Sequence, residues 1–181
     1  YMHMLDATHL LTIGYDADDQ GSFAWFQGVL LQIFDVSDPQ HPLLSHKEAI
    51  GTRGSSSEAL TNHLAFNYYA PLDLLALPMT VCEDSAGGGS YGMDMTFSGL
   101  MVYDVTAKSG FSLRGKVAHP SDATTGGYDS MGCSNWWTQA SSKVKRSVIL
   151  DNFVFSISED LIKVHDLNAL SKDLAVIPIG G

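Results

Sequence analysis

Hydrophobic and polar residues alternate along this chain in short runs, and each run ends at Gly, Pro, Asn or Asp. This pattern is typical of β-strands joined by turns. Helical spacing of apolar residues is almost absent, and Ser56–Leu60 is the only stretch that predicts a helical turn. The chain is therefore predicted to be all-β. The predicted strands are His9–Tyr15, Val29–Val36, Pro42–Ile50, His63–Tyr69, Leu74–Val81, Gly99–Val105, Ser112–Ala118, Ser147–Leu150, Phe153–Ser158, Ile162–Leu167 and Asp173–Ile179.

Three segments repeat one pattern of apolar residues, an aspartate, a further apolar residue and a turn. They are Leu31–Pro39, Leu100–Thr106 and Ile162–Asn168. One predicted strand follows each segment and at least one precedes it, so the repeating unit is a four-stranded antiparallel meander. The central aspartates are Asp35, Asp104 and Asp166. We expect a structural role for each of them, with the carboxylate accepting backbone N–H bonds in a turn at a strand end.

Meanders of this kind form the blades of a β-propeller, and the repeats predict that architecture. The predicted units are residues 1–51, 52–120 and 144–181, with loop insertions at 82–97 and 120–140. Because three blades do not close a ring, the outer blades would expose their strand edges. We expect a piece of a larger propeller, or else a second copy that covers the open edges. Tyr1 in place of an initial Met also favours a chain processed or excised from a longer protein.

The net charge of −10 and the pI near 4.8 limit the classes of partner that the chain is expected to bind. Nucleic-acid binding needs clustered Lys and Arg to neutralise phosphates, so no nucleic-acid partner is expected. Apolar runs fall far short of the roughly 20 residues that cross a bilayer, so no membrane span is expected.

Two cysteines, Cys82 and Cys133, lie in Gly- and Ser-rich surroundings. A disulfide between two loops is the favoured interpretation, and it would imply an oxidising compartment. Two unpaired thiols are the alternative. A metal site is disfavoured because the sequence has no Cys-x-x-Cys pair and no nearby His.

Polar residues between the units are candidates for pinning adjacent blades. Arg53 and Glu58 lie where the first two units meet, and Arg146 opens the last unit. A bidentate Arg–carboxylate bridge would fix the packing of the blades. Contact with a ligand is the alternative role.

Asp16, Asp18 and Gln20 occupy positions 1, 3 and 5 of a calcium-loop pattern, and Gly21 occupies position 6. Oxygen ligands on alternate residues of a tight loop converge on one point, which suits a hard cation. The pattern lacks the bidentate Glu at position 12, where this chain has Gln27. A solvated acidic hairpin is therefore the alternative to a calcium site, and no other cofactor is expected.

No catalytic residues are assigned from the sequence. Ser90 lies in a Gly-x-Ser-x-Gly match, but that motif needs a turn between a strand and a helix, and here a Gly-rich insertion surrounds it. The seven histidines show no metal-binding spacing, and no nucleophile, base and orienting residue cluster along the chain. Trp136 and Trp137 beside Cys133 are the candidate binding residues, either as an aromatic patch for a glycan or protein or, alternatively, packed against the disulfide loop.

Several runs in their order along the chain carry a family resemblance. They are Tyr1–Asp16, Gln32–Pro39, Gly51–Leu60, His63–Phe66, Lys145–Ile149 and Ile162–Leu167. Over essentially its whole length the chain resembles the C-terminal portion of bacterial and archaeal secreted proteins that carry a C-terminal β-propeller domain. The insertions Cys82–Phe97 and Pro120–Ala140 depart from the commoner pattern. The resemblance implies export to the cell surface or beyond, and it implies no activity.

These observations predict a non-enzymatic extracytoplasmic module that presents loops to a protein or glycan. One alternative is a hydrolase or other enzyme with its site at the funnel of a complete propeller. The other is a calcium-stabilised structural module. Because one fold hosts many functions, the fold does not decide between them.

Overall fold

The computed structural model describes residues 1–84, 92, 94–119, 133 and 143–179. Twelve strands within them form three four-stranded antiparallel sheets, here called blades 1, 2 and 3. Blade 1 contains β1 (Met2–Met4), β2 (His9–Asp19), β3 (Ala24–Asp35) and β4 (Leu43–Ile50). Blade 2 contains β5 (Asn67–Tyr69), β6 (Leu74–Glu83), β7 (Asp94–Thr106) and β8 (Gly110–Ala118). Blade 3 contains β9 (Val144–Leu150), β10 (Phe153–Ser158), β11 (Leu161–Asp166) and β12 (Asp173–Pro178).

The predicted all-β fold of four-stranded meanders is confirmed, and each blade keeps its strands in chain order. Two local differences have physical causes. The prediction missed β1, which is only three residues long and pairs with Leu10–Thr12. The segment predicted as a strand from His63 begins instead with a 3₁₀ turn over His63–Ala65, because the Asn62 side chain accepts the Leu64 N–H at 3.1 Å and caps the turn. The other 3₁₀ turns are Glu58–Leu60 and Ala70–Leu72.

The core lies between the blades. β6 is buried along almost its whole length because blade 2 lies between two neighbours. Its side chains alternate in direction, so Leu75 and Leu77 join the cluster shared with blade 1, while Leu74 and Ala76 join the cluster shared with blade 3. Burial on both faces explains why this strand reads as a continuous apolar run rather than as an alternating one.

The two ends of each blade carry different connecting segments. The end with the β2–β3, β6–β7 and β10–β11 connections also holds the segments that leave one blade for the next; we call it the hairpin face. The opposite end, the turn face, carries the repeated aspartates. Since a meander reverses direction at every strand, this separation follows from the strand order. It brings the polar linking segments and the long hairpins to the same side of the protein.

The turn face repeats one hydrogen bond in all three blades. The residue after each repeated aspartate donates its N–H, at 2.8 Å, to the carbonyl of the residue before the second strand. The side chains differ. Asp35 and Asp166 accept the N–H two residues ahead, each at 2.8 Å, whereas Asp104 binds Arg114, with Nε 3.1 Å from Oδ1. The backbone bond therefore maintains the repeat, and the carboxylate contact varies.

The far faces of blades 1 and 3 carry exposed apolar side chains. On blade 3, Leu150 is 59% exposed and Val148 48%, and on blade 1, Met2 is 67% exposed and Met4 50%. These side chains point away from the clusters that join the blades. In the described part of the chain, no helix has the length and apolar character of a membrane-spanning helix.

Candidate binding site on the hairpin face

The β2–β3 hairpin is almost twice as long as its equivalent in blade 3. β2 has 11 residues and β3 has 12, whereas β10 and β11 have six each. The hairpin closes through a turn in which Gly21 has a φ of +84° and Gln20 donates its N–H to the Phe23 carbonyl at 2.9 Å. Glycine adopts this left-handed conformation without the steric cost that a Cβ would bring. The extra length carries the acidic and aromatic residues beyond the body of the blade.

A pocket of about 210 Å³ lies on this hairpin. It is lined by Asp18, Gln20, Trp25 and Gln27. Asp18 and Trp25 are direct cross-strand partners, and Gln27 donates a hydrogen bond from Nε2 to Asp18 Oδ2 at 2.7 Å. The pocket thus combines an aromatic ring with a carboxylate and two carboxamides. The polar groups can exchange hydrogen bonds with hydroxyl groups, and the Trp25 ring forms one side of the pocket.

Trp25 is held by a residue from outside its hairpin. The Arg53 guanidinium carbon lies 4.6 Å from the Trp25 ring centroid, and Arg53 is only 8% exposed. A cation stacked on an aromatic face is stabilised by the ring quadrupole, and more strongly where water is excluded. Arg53 was predicted to pin adjacent blades or to contact a ligand, and its position over the ring puts it against the wall of the pocket.

The base of the hairpin packs closely against the segment that leaves blade 1. A Cβ on Gly28 would lie 2.3 Å from the Gly51 carbonyl oxygen and 2.4 Å from that of Ile50. Only glycine permits this approach of two backbones. Gly28 follows Gln27 directly, so the close packing is adjacent to the pocket.

The predicted pairing of Cys82 with Cys133 is confirmed, although Cys82 lies near the end of strand β6 rather than in a loop. Cys82 and Cys133 are bonded, with their Cα atoms 5.8 Å apart, and both residues are buried. Thr52 and Ser55 belong to the segment that links blades 1 and 2, and both bind the Cys82 backbone. The disulfide therefore lies beside the linking segment that also carries Arg53.

The residues predicted to bind calcium lie partly in an extended strand. Asp16 pairs with Lys47 at 3.1 Å, and Asp18 accepts the Gln27 amide. Gln20 follows the strand and lines the pocket. Within the described ranges, no group of three or more His, Cys, Asp or Glu is placed to hold a metal ion. Calcium binding by Asp16, Asp18 and Gln20 stays a prediction.

Glu58 makes a contact between blades. Its Oε2 lies 3.4 Å from Nζ of Lys145 on β9. Lys145 also lines a cleft of about 390 Å³ with Lys143, Glu159 and Asp160, where Lys143 and Asp160 approach to 3.5 Å. Two lysines and two carboxylates balance in charge there. Arg146, the neighbouring residue on β9, is exposed.

The structure brings together a serine and a histidine that the sequence did not associate. Ser156 Oγ and His119 Nε2 are 2.7 Å apart, between blades 2 and 3. Ser156 is fully buried and His119 is 2% exposed, and burial lowers the pKa of His119 to about 4. His119 Nδ1 has no hydrogen-bond partner among the described residues, so no side chain orients the ring as in a catalytic triad. Their separation along the chain left no local signal.

A second buried imidazole lies nearby. His165 is also 2% exposed, and its Nε2 lies 2.6 Å from Asp173 Oδ1. Burial lowers the pKa of His165, although Asp173 opposes the shift. Both histidines act as buried polar residues of the interface between blades.

Three of the residues singled out in the sequence lie outside the described residues. They are Ser90, Trp136 and Trp137. The aromatic candidate that the structure does describe, Trp25, was not singled out, because it lies in an alternating strand pattern that predicts packing rather than binding.

The chain matches the family model described as a beta propeller domain over residues 1–170. No curated protein and no solved structure matches it. The match covers all three blades up to β11 and the loop that follows it, in agreement with the three meanders described above. This chain belongs to the β-propeller domain family.

Proposed function

We propose that this domain is a non-enzymatic binding module and that the pocket on the β2–β3 hairpin binds a glycan. The observation that carries the proposal is the composition of the pocket, in which Trp25 lies beside Asp18, Gln20 and Gln27. Sugars present many hydroxyl groups around a ring. The three polar side chains match the hydroxyl groups, and Trp25 is the aromatic side chain that would border the ring.

The charges around the pocket favour a neutral sugar. Asp18 contributes a negative charge, and Arg53 places a positive charge on the Trp25 ring. The chain as a whole carries a net charge of −10, which repels acidic glycans over a distance of about a Debye length. A neutral oligosaccharide avoids this repulsion and uses the full set of hydrogen-bonding groups.

The proposed location is extracytoplasmic. Disulfides form and persist in oxidising compartments, and the buried Cys82–Cys133 bond supports secretion or display at the cell surface. Glycans are abundant in those locations, so the proposed ligand and the proposed location agree.

A protein partner is the second candidate ligand. Phe23 and Phe26, at the end of the same hairpin, are 57% and 46% exposed. Exposed aromatic residues are enriched at protein interfaces. The glycan is preferred because the pocket is concave and its lining is mainly polar, whereas the phenylalanines lie outside it.

Further blades are proposed partners of a different kind. The exposed apolar faces of blades 1 and 3 are of the type that packs between blades inside this structure. Additional blades of a parent chain, or a second copy of this one, would cover them.

A binding rather than a catalytic role is proposed because Ser156, which lies beside His119, is wholly buried.

The test is binding to immobilised neutral oligosaccharides, followed by calorimetry with the best binder. Trp25→Ala removes the aromatic side of the pocket, and we expect it to weaken binding by up to about tenfold, since an aromatic contact is worth roughly 0.5–1.5 kcal/mol. Phe26→Ala is the matched control, because Phe26 lies on the same hairpin, packs against Tyr15 rather than Trp25 and does not line the pocket. No binding across the panel, or equal binding by Trp25→Ala, contradicts the proposal. Loss of protein capture with Phe23→Ala would favour the second candidate.

A further inference from the structure

We propose that the Cys82–Cys133 disulfide controls the hairpin pocket, by holding the segment that places Arg53 against Trp25. The inference rests on the proposed function only in taking the pocket as the binding site. The coupling between the disulfide and Trp25 is a property of the protein alone and can be measured without a ligand.

The first link joins the pocket to Arg53. Trp25 belongs to blade 1, whereas Arg53 belongs to the segment between blades 1 and 2. The guanidinium carbon lies 4.6 Å from the ring centroid, and the arginine is more than nine-tenths buried. Arg53 is therefore a positioning residue. It covers one face of the Trp25 ring and so holds in place the ring that forms one wall of the pocket.

The second link joins Arg53 to Cys82. On one side of Arg53, Thr52 donates both its N–H (2.9 Å) and its Oγ1–H (2.8 Å) to the Cys82 carbonyl. On the other side, Ser55 Oγ accepts the Cys82 N–H at 2.9 Å. The carbonyl of Arg53 itself accepts the Gly92 N–H at 2.9 Å. The backbone that carries Arg53 is thus bonded on both sides to the cysteine.

The third link joins this segment to Cys133. Gly54, the residue after Arg53, has a φ of +105°, and a Cβ built on it would lie 3.0 Å from the Cys133 carbonyl oxygen and 3.2 Å from Cys82 Cβ. Both half-cystines therefore pack directly against the turn of the Arg53 segment. Breaking the disulfide frees Cys133 to leave this turn and removes one side of its packing.

Reduction of the Cys82–Cys133 disulfide is a two-electron thiol–disulfide exchange. A dithiol reductant attacks the disulfide, the sulfur–sulfur bond breaks, and two electrons and two protons pass to Cys82 and Cys133 as thiols. The reductant is oxidised to its own disulfide. Because both cysteines are buried, exchange requires local opening, so the pocket stays formed in an oxidising compartment.

The experiment uses the full 181-residue chain with Trp136→Phe and Trp137→Phe, so that Trp25 is the only tryptophan. Trp25 emission and its quenching by acrylamide are compared between the oxidised protein and the Cys82→Ser, Cys133→Ser variant. We expect emission at longer wavelength and stronger quenching without the disulfide. Circular dichroism verifies that the variant is folded. A folded variant with unchanged Trp25 emission overturns the proposal.

A reciprocal measurement keeps the test decisive if the serine variant does not fold. Coupling is mutual, so removing the Arg53 contact must also loosen the disulfide. In a dithiothreitol redox buffer, Arg53→Gln should shift the equilibrium between the disulfide and the dithiol about fivefold toward the dithiol, the factor expected from a cation–π contact. Lys47→Gln is the matched control, because Lys47 pairs with Asp16 on the same hairpin. Equal equilibrium constants for Arg53→Gln and the parent protein overturn the coupling.

Ligand binding separates this inference from the proposed function. If Trp25 responds to the disulfide but no neutral oligosaccharide binds, the coupling stands and the glycan proposal fails. If an oligosaccharide binds the oxidised and disulfide-free proteins equally, the glycan proposal stands and the control by the disulfide fails.

Discussion

At the scale of single residues, the most informative groups are the buried histidines between blades 2 and 3. His119 Nε2 shares a hydrogen bond with Ser156 Oγ, and His119 Nδ1 has no hydrogen-bond partner among the described residues. A charged imidazole is costly there because it would lose its hydration, and Lys163 and His165 also disfavour the positive charge, although Asp160 and Asp173 oppose them. The ring is therefore neutral in the folded protein at neutral pH.

This environment predicts loss of stability in mild acid. The pKa of His119 is about 4 in the folded protein and 6.5 in the unfolded chain, so the unfolded chain takes up the proton first as the pH falls. Above pH 6.5, the contribution of His119 to stability does not change with pH. Between pH 6.5 and 4, the folding equilibrium constant decreases by up to about tenfold per pH unit. The lowered pKa of His165 acts in the same direction.

Urea unfolding at several pH values tests this prediction. His119→Gln keeps an amide that can bond to Ser156 but does not titrate, so its stability should depend less steeply on pH between 6.5 and 4. The same slope in the variant and the parent protein would show that His119 is not responsible.

At the scale of elements, the β2–β3 hairpin depends on close backbone packing at its base. Gly28 belongs to β3, and the carbonyls of Ile50 and Gly51 occupy the space that a side chain would need. The hairpin and the linking segment are thereby fixed together immediately below the pocket. Rigid support of this kind is what a loop needs to hold binding residues in place.

Gly28→Ala should therefore destabilise the protein by about 1–3 kcal/mol through overpacking, and it should shift the pocket residues. Gly14→Ala is the matched control. It lies on β2 of the same hairpin, and nothing lies within 4 Å of its added Cβ. Chemical denaturation of the two variants gives the comparison, and equal stabilities would argue against the close packing.

At the scale of the whole molecule, the exposed apolar faces of blades 1 and 3 determine how the chain is expected to associate. Two apolar clusters bury the faces between blades, while Leu150, Val148, Met2 and Met4 on the far faces remain exposed. Contiguous apolar surface of this type is normally covered in a soluble protein. The chain by itself should therefore associate.

Light scattering after size exclusion tests this association over a range of concentrations. We expect the mass to rise with concentration, and Leu150→Glu to reduce the rise because it places a charge on the far face of blade 3. Leu72→Glu is the control, since Leu72 is 41% exposed but lies in a 3₁₀ turn on the turn face. A monomer at every concentration would contradict the prediction.

The blades and the disulfide pairing could be predicted from the sequence, and the candidate site could be predicted only in part. The period-two alternation and the turn residues act locally, so Asp35, Asp104 and Asp166 mark equivalent strand ends through the residues on either side of each. The pocket residues are only partly predictable: Asp18 and Gln20 stand out as oxygen ligands, but their partner Trp25 does not. No spacing rule relates Trp25 to Arg53, because they meet only after two separate segments pack.

The sequence by itself determined the strands, the three meanders and their turns, since these depend on interactions between residues near one another in the chain. Only the tertiary structure decided which side chains share a site. Packing of blade against blade brought Arg53 over Trp25, His119 beside Ser156 and Glu58 beside Lys145. Each of these contacts depends on the register and burial of strands in different segments, which local sequence patterns do not encode.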